Sequence, residues 1–242
     1  MNPHPGRFSS AITEENKRGY VAVIPDIKCI SPKEGDLLQG RDPVETAKYL
    51  VSCGAPVLSV VTEEKRFGGS PQLLRDIVKN VCIPILRKDF VISEDIIYET
   101  AELGATAILL ICAITDEKKL FKLYEKSIKL GLEPFVEVCT VTEMDLAKKI
   151  GARLIGINNR DIVTLEMDNG DTSRTTALAA NAPAGALLVS ESGIVSARDA
   201  TQATMVGANA ILVGTALWQA HDMGEMYRSL RVKRRCQLCN QK

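Results

Sequence analysis

The sequence contains little histidine and no long apolar run. Its two histidines, His4 and His221, lie near opposite ends of the 242-residue chain. They provide no cluster for zinc and no base for a Ser/His/Asp or Cys/His nucleophile. No stretch approaches the roughly 18 consecutive apolar residues that a membrane-spanning helix requires, so we expect no membrane partner. Any chemistry therefore falls to Lys, Glu, Asp and Asn.

The chain also lacks an excess of charge of either sign. Thirty Lys and Arg balance thirty Asp and Glu, so there is no global field to hold a nucleic-acid backbone and we expect no nucleic-acid partner. The N-terminus lacks the basic region and apolar stretch of a secretory signal, which predicts a cytoplasmic protein.

The seven cysteines are accordingly expected to be reduced. Five of them lie in or beside apolar segments and are predicted to be small buried hydrophobic residues: Cys29, Cys53, Cys82, Cys112 and Cys139. Cys236 and Cys239 form a lone C-x-x-C in a basic tail without a second ligand pair, which predicts a frayed terminus and no metal site.

Short runs of β-branched residues and leucine recur at nearly even spacing. They cover residues 21–27, 57–61, 83–86, 107–112, 135–138, 154–158, 187–190 and 210–213. Continuous apolar runs of this kind are typical of parallel strands buried on both faces. Eight of them predict a (β/α)8 TIM barrel, an α/β fold that forms one domain at about this length.

Helix signals fill the intervals between these runs. Asp42-Pro43-Val44-Glu45 combines an N-cap, a proline at the first helical position and a glutamate three residues after the cap, and Ser70-Pro71 and Ser93 also mark helix starts. Further helices are predicted over residues 117–130, 143–150, 172–180, 197–205 and 217–230.

Gly-Ala pairs occur before the even-numbered strands, where glycine can end a helix in the left-handed conformation. They begin at Gly54, Gly104, Gly151 and Gly207. No linker interrupts the series. We therefore predict a single domain over residues 1–242, with a short N-terminal extension, the barrel at about 20–230 and a basic C-terminal tail at 231–242.

Polar residues end several of the apolar runs, where active sites of (β/α)8 barrels lie. The candidates are Asp26, Lys28, Lys88, Glu137, Asn158, Arg160, Glu191 and Ser192. A single buried lysine or glutamate is explained equally well by a structural salt bridge. Burying several charges costs several kcal/mol each, however, so the whole set favours general acid-base chemistry at a carbonyl.

Glycine-containing loops follow the last two strands, where this fold commonly holds phosphate with backbone N–H groups at a helix N-terminus. The candidates are Gly193, Gly214 and Thr215, with Ser31 after strand one as a further donor. We therefore expect a small phosphorylated substrate.

Apolar residues at or just after strand ends are candidates for pocket walls: Phe67, Phe90, Leu109, Ile111 and Leu165. Core packing explains Leu109 and Ile111 equally well. Phe67 lies in a polar segment and is better explained as a wall or lid over an aromatic ligand. The expected substrate is thus a phosphorylated molecule with an aromatic group and a carbonyl or carboxylate.

Together these motifs resemble those of the indole-3-glycerol-phosphate synthase family, (β/α)8 barrels of tryptophan biosynthesis. The resemblance spans about residues 20–220. It rests on Asp26-Ile27-Lys28-Cys29-Ile30-Ser31-Pro32, residues 58–63 with Phe67-Gly68-Gly69-Ser70, Leu86-Arg87-Lys88-Asp89-Phe90, Glu137, residues 155–161, Ser190-Glu191-Ser192-Gly193-Ile194 and Val213-Gly214-Thr215.

The resemblance implies ring closure of 1-(2-carboxyphenylamino)-1-deoxyribulose 5-phosphate to indole-3-glycerol phosphate, with loss of CO2 and water and with no metal or organic cofactor. Lys88 would be the general acid and Lys28 would bind the substrate carboxylate. The resemblance assigns proton transfer to Glu137 and Asp26, and orientation of the sugar hydroxyls and amine to Asn158, Glu191 and Ser192. It assigns a further substrate contact to Arg160 and the anthranilate ring to the five apolar candidates. The phosphate would be bound by Ser31, Gly193, Gly214 and Thr215. We expect a monomer or a weak homo-oligomer.

Three features depart from the family pattern. The family carries Glu where this chain has Asp26, and usually carries Arg where this chain has Cys29. Its N-terminal extension, which helps close the pocket, is longer than the one here, so Phe8 is expected to replace that cover only in part. The shorter acid shifts a carboxylate in a site that tolerates little misplacement.

Two other functions fit the residues. One is a different phosphate-binding barrel lyase or isomerase, such as phosphoribosylanthranilate isomerase or a Schiff-base aldolase, which would also place a desolvated lysine at a strand end. The other is a non-catalytic barrel that binds a phosphosugar, with Asp26 as the mark of lost activity.

Overall fold

The computed structural model describes residues 6–160 and 171–234. Eight parallel strands close into a barrel in which each strand pairs with its neighbours along the chain and the first pairs with the last. The described residues form ten strands, and all except β2 and β3 belong to the barrel. In chain order they are β1 (Ala22–Ile27), β2 (Ile30–Ser31), β3 (Gly35–Asp36), β4 (Leu58–Val61), β5 (Ile85–Lys88), β6 (Ala107–Ile111), β7 (Glu133–Val138), β8 (Leu154–Asn158), β9 (Leu187–Glu191) and β10 (Ala210–Val213). β2 and β3 form a small antiparallel hairpin outside the barrel. The predicted (β/α)8 barrel is confirmed.

Helices cover the outside of the barrel. They are α1 (Arg7–Lys17), α2 (Pro43–Ser52), α3 (Glu64–Phe67), α4 (Pro71–Asn80), α5 (Glu94–Leu103), α6 (Glu117–Lys129), α7 (Val141–Lys149), α8 (Ser173–Leu178), α9 (Ala197–Met205), α10 (Thr215–Gln219) and α11 (Met223–Leu230). The single helix predicted over 217–230 is wrong. Its residues form two helices, because Ala220 is extended and the Asp222 carboxylate caps a new helix by accepting from the Glu225 N–H.

The predicted helix ends have the expected local chemistry. The Asp42 side chain accepts from two N–H groups of α2, and Ser70 accepts from the Leu73 N–H of α4. Ser93 precedes α5 without such a bond. The glycines of the four Gly-Ala pairs all have positive φ, between 74° and 110°. They therefore end each helix in the conformation that glycine adopts at least cost.

α1 closes the N-terminal end of the barrel. Its Phe8 and Ile12 are fully buried and pack among the interior side chains of the strands. Glu133, the first residue of β7, accepts hydrogen bonds from the N–H groups of Phe8 and Ser9. The expectation that Phe8 helps cover the substrate pocket is wrong, because this apolar helix face fills the opposite end of the barrel.

The start of the C-terminal tail is docked on the barrel. The Val21 N–H donates to the Val232 carbonyl, and the Arg234 N–H donates to the Gly19 carbonyl. Arg231 stacks on the Tyr20 ring at 3.8 Å and forms an ion pair with Glu15. The tail is therefore bound to the barrel between residues 231 and 234. Cys236 and Cys239 lie outside the described residues.

The cysteines of the described segments are all free thiols. Cys29 and Cys112 are buried, and Cys53 and Cys139 are half-buried. Cys82 is exposed, so the prediction that it is a buried hydrophobic residue is wrong. It follows the end of α4 in the connection to β5, where its side chain meets solvent. No helix within residues 6–160 and 171–234 is long and apolar enough to span a membrane.

Candidate active site

Two cavities meet at the C-terminal mouth of the barrel. The apolar cavity is lined mainly by Val61, Phe67, Phe90, Leu109 and Ile111, with Glu63, Asp89 and Glu137 among its polar residues. The polar cavity is lined by Arg160, Ser192, Gly193, Gly214, Thr215 and their neighbours. Asp26, Lys28 and Lys88 line both cavities. The mouth is therefore one cleft with an apolar end, a polar end and two ammonium groups at the junction.

Phe67 forms a buried wall of the apolar cavity. It ends the short helix α3, whose N-terminus is capped by the Glu63 carboxylate through the N–H groups of Arg66 and Phe67. Gly68 follows with φ of 65° and ends the helix. The Phe67 ring lies 6.4 Å from the Phe90 ring and 5.6 Å from the Lys28 Nζ, centroid distances suited to weak aromatic and cation–π attraction. Of the five predicted wall residues, four line this cavity and Leu165 lies outside the described residues.

The polar cavity brings together the two glycine-containing loops. Ser192 and Gly193 both have left-handed φ, 65° and 70°, which turns the chain sharply after β9. Gly214 and Thr215 follow β10 directly. Ser31, the other predicted phosphate ligand, is not among the residues that line either cavity. Its Oγ instead accepts from the Glu34 N–H at 3.3 Å, within the hairpin.

Several carboxylates are buried beneath the junction. Glu191 is fully buried, and its Oε2 lies 3.4 Å from the Lys88 Nζ. Burial raises the pKa of Glu191 to about 8, with a further contribution from Glu137 and Asp26 and opposition from Lys88. Lys88 itself is 14% exposed. A carboxyl that is mostly protonated at neutral pH and an ammonium group within reach are suited to proton exchange with a ligand.

Asn158 reaches the same buried layer from the end of β8. It is fully buried, and its Oδ1 accepts from the Arg160 N–H at 3.0 Å. Its Nδ2 donates to no other described residue. A buried amide that lacks an acceptor is costly, so this group is suited to donating to a bound ligand.

A model of the indole-3-glycerol phosphate synthase family's sequences matches residues 2–230. The chain belongs to this family. It is 44% identical over 221 residues to the indole-3-glycerol phosphate synthase of Pyrococcus furiosus, a match that covers 91% of this chain and 95% of the relative. It is 43% identical over 210 residues to the one from Streptococcus gordonii, covering 87% and 81% of the two chains. Membership makes the chain a carboxy-lyase of tryptophan biosynthesis.

Sequence reasoning missed the residues that hold Asp26. The Ser59 Oγ donates to the Asp26 Oδ1 at 2.6 Å, and the Trp218 Nε1 donates to the Asp26 carbonyl at 2.9 Å. Gly214 lies close to the other carboxylate oxygen of Asp26, since a Cβ added to this glycine would be 3.4 Å from the Asp26 Oδ2. Two signals were visible in the sequence of this synthase-family member: a hydroxyl within the apolar run at 58–61 and the only tryptophan of the chain.

Gly156 is required by the close packing beneath Glu191. A Cβ at this position would lie 2.3 Å from the Glu191 Oε1 and 2.2 Å from the Phe135 Cε1. We expect Gly156→Ala to lower the free energy of unfolding by about 1–3 kcal/mol, as overpacking does, and to displace Glu191 and so reduce turnover. Urea unfolding and kcat measure the two effects. Gly185→Ala is the control: it is strained by φ of 79° but meets no atom within 4 Å, so it should lose stability without losing activity.

Proposed function

We propose that this protein converts 1-(2-carboxyphenylamino)-1-deoxyribulose 5-phosphate to indole-3-glycerol phosphate. The main support is the cleft in which Lys28, Lys88 and Asp26 line both the apolar and the polar cavity. The substrate has a carboxyphenyl group at one end, a phosphate at the other and a ketone between them. Binding in this cleft would place the ring among Phe67, Phe90, Leu109 and Ile111, and the ketone beside the lysines.

Ring closure forms a bond between the aromatic carbon that bears the carboxylate and the ketone carbon. The carbonyl π electrons move to the ketone oxygen, which must gain a proton. Lys88 is assigned this general-acid role because its ammonium group lies at the junction of the cavities, 14% exposed. Lys88 becomes neutral when it gives up this proton, and it regains its positive charge when it is protonated again.

Decarboxylation follows ring closure. The bond between the ring carbon and the carboxylate breaks, CO2 leaves, and the electron pair restores the aromatic ring. Lys28, 6% exposed and held over the Phe67 ring, is assigned to the carboxylate before it leaves. Its side chain orients the carboxylate out of the plane of attack by a charge-assisted hydrogen bond.

Dehydration completes the indole. The hydroxyl at the former ketone carbon leaves as water with one added proton, and the adjacent methylene carbon loses one proton to form the double bond. Glu137 and Asp26 are assigned to these transfers, because both reach the cleft from β7 and β1. Glu191, Asn158 and Ser192 are assigned to the amine and sugar hydroxyls, and Arg160 to a further contact with the anionic end of the substrate.

The phosphate is assigned to the loops after β9 and β10. We expect inorganic phosphate or sulfate, soaked into crystals of the ligand-free enzyme, to lie against Gly193 and Gly214, because both loops and Arg160 line the polar cavity. An anion bound away from both loops contradicts this assignment. Gly193 and Gly214 with Thr215 carry the prediction, because they line the polar cavity and Ser31 lines neither cavity.

The reaction is tested by incubating the enzyme with the carboxyphenylamino-deoxyribulose phosphate while indole fluorescence and CO2 release are recorded. Equal amounts of indole product and CO2 are expected. No product, together with binding of the substrate, identifies a non-catalytic phosphosugar-binding barrel. A Schiff-base enzyme is separated by borohydride reduction in the presence of substrate, since a covalent adduct at Lys88 contradicts its role as a general acid.

A further inference from the structure

Asn158 and Asn159 are neighbours in the sequence but point to different sides of the barrel wall. Asn158 lies in the buried layer beneath the cleft. Asn159, 4% exposed, lies between the ends of β8 and β9 and the start of α8. The assignments above leave Asn159 without a role in the reaction.

The Asn159 side chain makes an unusually complete set of hydrogen bonds. Its Nδ2 lies 3.0 Å from each of three acceptors, the Ser190 Oγ and the carbonyl oxygens of Glu191 and Ser192. Its Oδ1 accepts from the Thr175 N–H and Oγ1, both at 3.0 Å. The Asn159 N–H also donates to the Glu191 carbonyl at 2.9 Å. One residue thus joins two strand ends and a helix.

These bonds matter because Glu191 is poorly held by its own side chain. Neither carboxylate oxygen accepts a hydrogen bond from another described residue, and the Lys88 Nζ is 3.4 Å away. The position of the carboxylate therefore depends on its backbone, on packing against Gly156 and on the ion pair with Lys88. The backbone carbonyl of Glu191 accepts two hydrogen bonds from Asn159.

Ser192 gives a second reason. It has φ of 65°, a left-handed conformation that costs a residue with a side chain about 1 kcal/mol or more. Its carbonyl accepts from the Asn159 Nδ2. Without that donor the turn into the Gly193 loop has less to hold it, and both the polar cavity and Glu191 are free to shift.

We propose that Asn159 is a positioning residue for the reaction, which fixes Glu191 and Ser192 at the cleft by hydrogen-bonding to their backbone carbonyls. The inference rests on the proposed function for the roles of Glu191 and Ser192. It goes beyond that function by naming the group outside the cleft that sets their geometry.

The test compares steady-state kinetics of Asn159→Asp and Asn159→Ala with two controls. Asn159→Asp keeps the acceptor for Thr175 but turns an oxygen toward the carbonyls of Glu191 and Ser192. We expect kcat/KM to fall about 10- to 100-fold in both Asn159 variants, mostly through kcat, as for misplacement of a catalytic group by a fraction of an ångström to 1 Å. Asn159→Asp decides the question if Asn159→Ala does not fold.

Two controls separate positioning from general stability. Asn209→Ala removes a comparable amide at the other end of β9, where its Oδ1 accepts from the Leu188 N–H and its Nδ2 donates to Asn16. Thr175→Val removes the hydroxyl that bonds the Asn159 Oδ1 and the Ser190 Oγ, and it keeps the Asn159 Nδ2 that donates to the carbonyls of Glu191 and Ser192. Both controls should lower the melting temperature and keep kcat/KM within threefold of the original enzyme.

The pH profile provides a readout that a merely structural role would not move. Glu137 on β7, Lys88 on β5 and Asp26 on β1 face Glu191, and burial keeps the Glu191 pKa raised. Water that reaches a loosened Glu191 should lower that pKa. The limb of the kcat–pH profile that belongs to Glu191 is identified as the one that Glu191→Gln abolishes. In Asn159→Asp this limb should move to lower pH. It should stay in place in Asn209→Ala.

The outcomes are distinct from those that test the reaction itself. No turnover by the original enzyme contradicts the proposed function. Turnover by the original enzyme with unchanged kcat/KM and pH profile in Asn159→Asp overturns only the role of Asn159. Equal losses in Asn159→Asp and Thr175→Val overturn it as well, because the donors to Glu191 and Ser192 would then not be what sets the site.

Discussion

Lys88→Ala is expected to lower kcat by about 10²- to 10⁴-fold, the range over which a positioned general acid contributes. Lys88 lies where the apolar and polar cavities meet, and its Nζ is 3.4 Å from the Glu191 Oε2. In the proposed mechanism its removal leaves the ketone oxygen without a proton donor during ring closure. The loops around Gly193 and Gly214 are untouched, so phosphate binding should change little. Steady-state kinetics and phosphate titration measure the two effects.

Lys88→Arg distinguishes proton transfer from charge. Arginine keeps the positive charge but does not release a proton at neutral pH. We therefore expect Lys88→Arg to lose nearly as much kcat as Lys88→Ala. Lys79→Ala, at the end of α4 and away from the cleft, is the control and should retain full activity. Near-normal turnover in Lys88→Ala would show that the lysine has only a structural role.

Asp26→Asn is expected to lower kcat by about 10²-fold or more while the fold stays intact. The asparagine Oδ1 can still accept from the Ser59 Oγ, so the buried hydrogen bond survives and only the proton-carrying group is lost. If Asp26 merely neutralises Lys28, the same change should raise KM and leave kcat nearly unaltered. Kinetics of the variant separate the two roles, and Asp36→Asn in the outer hairpin is the matched control.

Asp26→Glu tests whether the site is built around the shorter acid. Ser59 meets the present carboxylate at 2.6 Å, Trp218 fixes the Asp26 carbonyl, and Gly214 lies close to its Cβ and Oδ2. An added methylene breaks the Ser59 bond or pushes toward Gly214, so we expect kcat to fall. A tenfold rise in kcat would instead mean that Asp26 is a degraded form of the family's glutamate.

The architecture could be predicted from local patterns. Each barrel strand is a short apolar run, so its position can be predicted from a few consecutive residues. Strands β8 and β10 begin and end at the predicted residues. The chain also marks its helix ends locally, with Asp42 and Ser70 as N-caps and Gly104 with φ of 86° as a stop. The segment 217–230 is predicted as one helix but forms two. The Asp222 cap that divides it was overlooked.

The polar ends of the strands predicted where the site lies but not how each residue is held. Asp26, Lys28, Lys88 and Glu137 come together because parallel strands of a barrel all end at the same mouth, which follows from topology alone. Sequence could not place Phe8, whose apolar helix face fits either end of a barrel. The structure puts it at the N-terminal end, where it packs among the interior side chains of the strands and its N–H donates to Glu133.

The fold, the location of the cleft and the types of residue at its mouth can be predicted from the sequence, because they depend on apolar periodicity and on chain order. The partners of those residues cannot, because they depend on the closed barrel. Ser59 lies 33 positions from Asp26, Trp218 lies 192 positions from it, and Asn159 reaches Ser192 across 33 positions. Such contacts form when the barrel closes, and their distances depend on side-chain directions that no local pattern encodes.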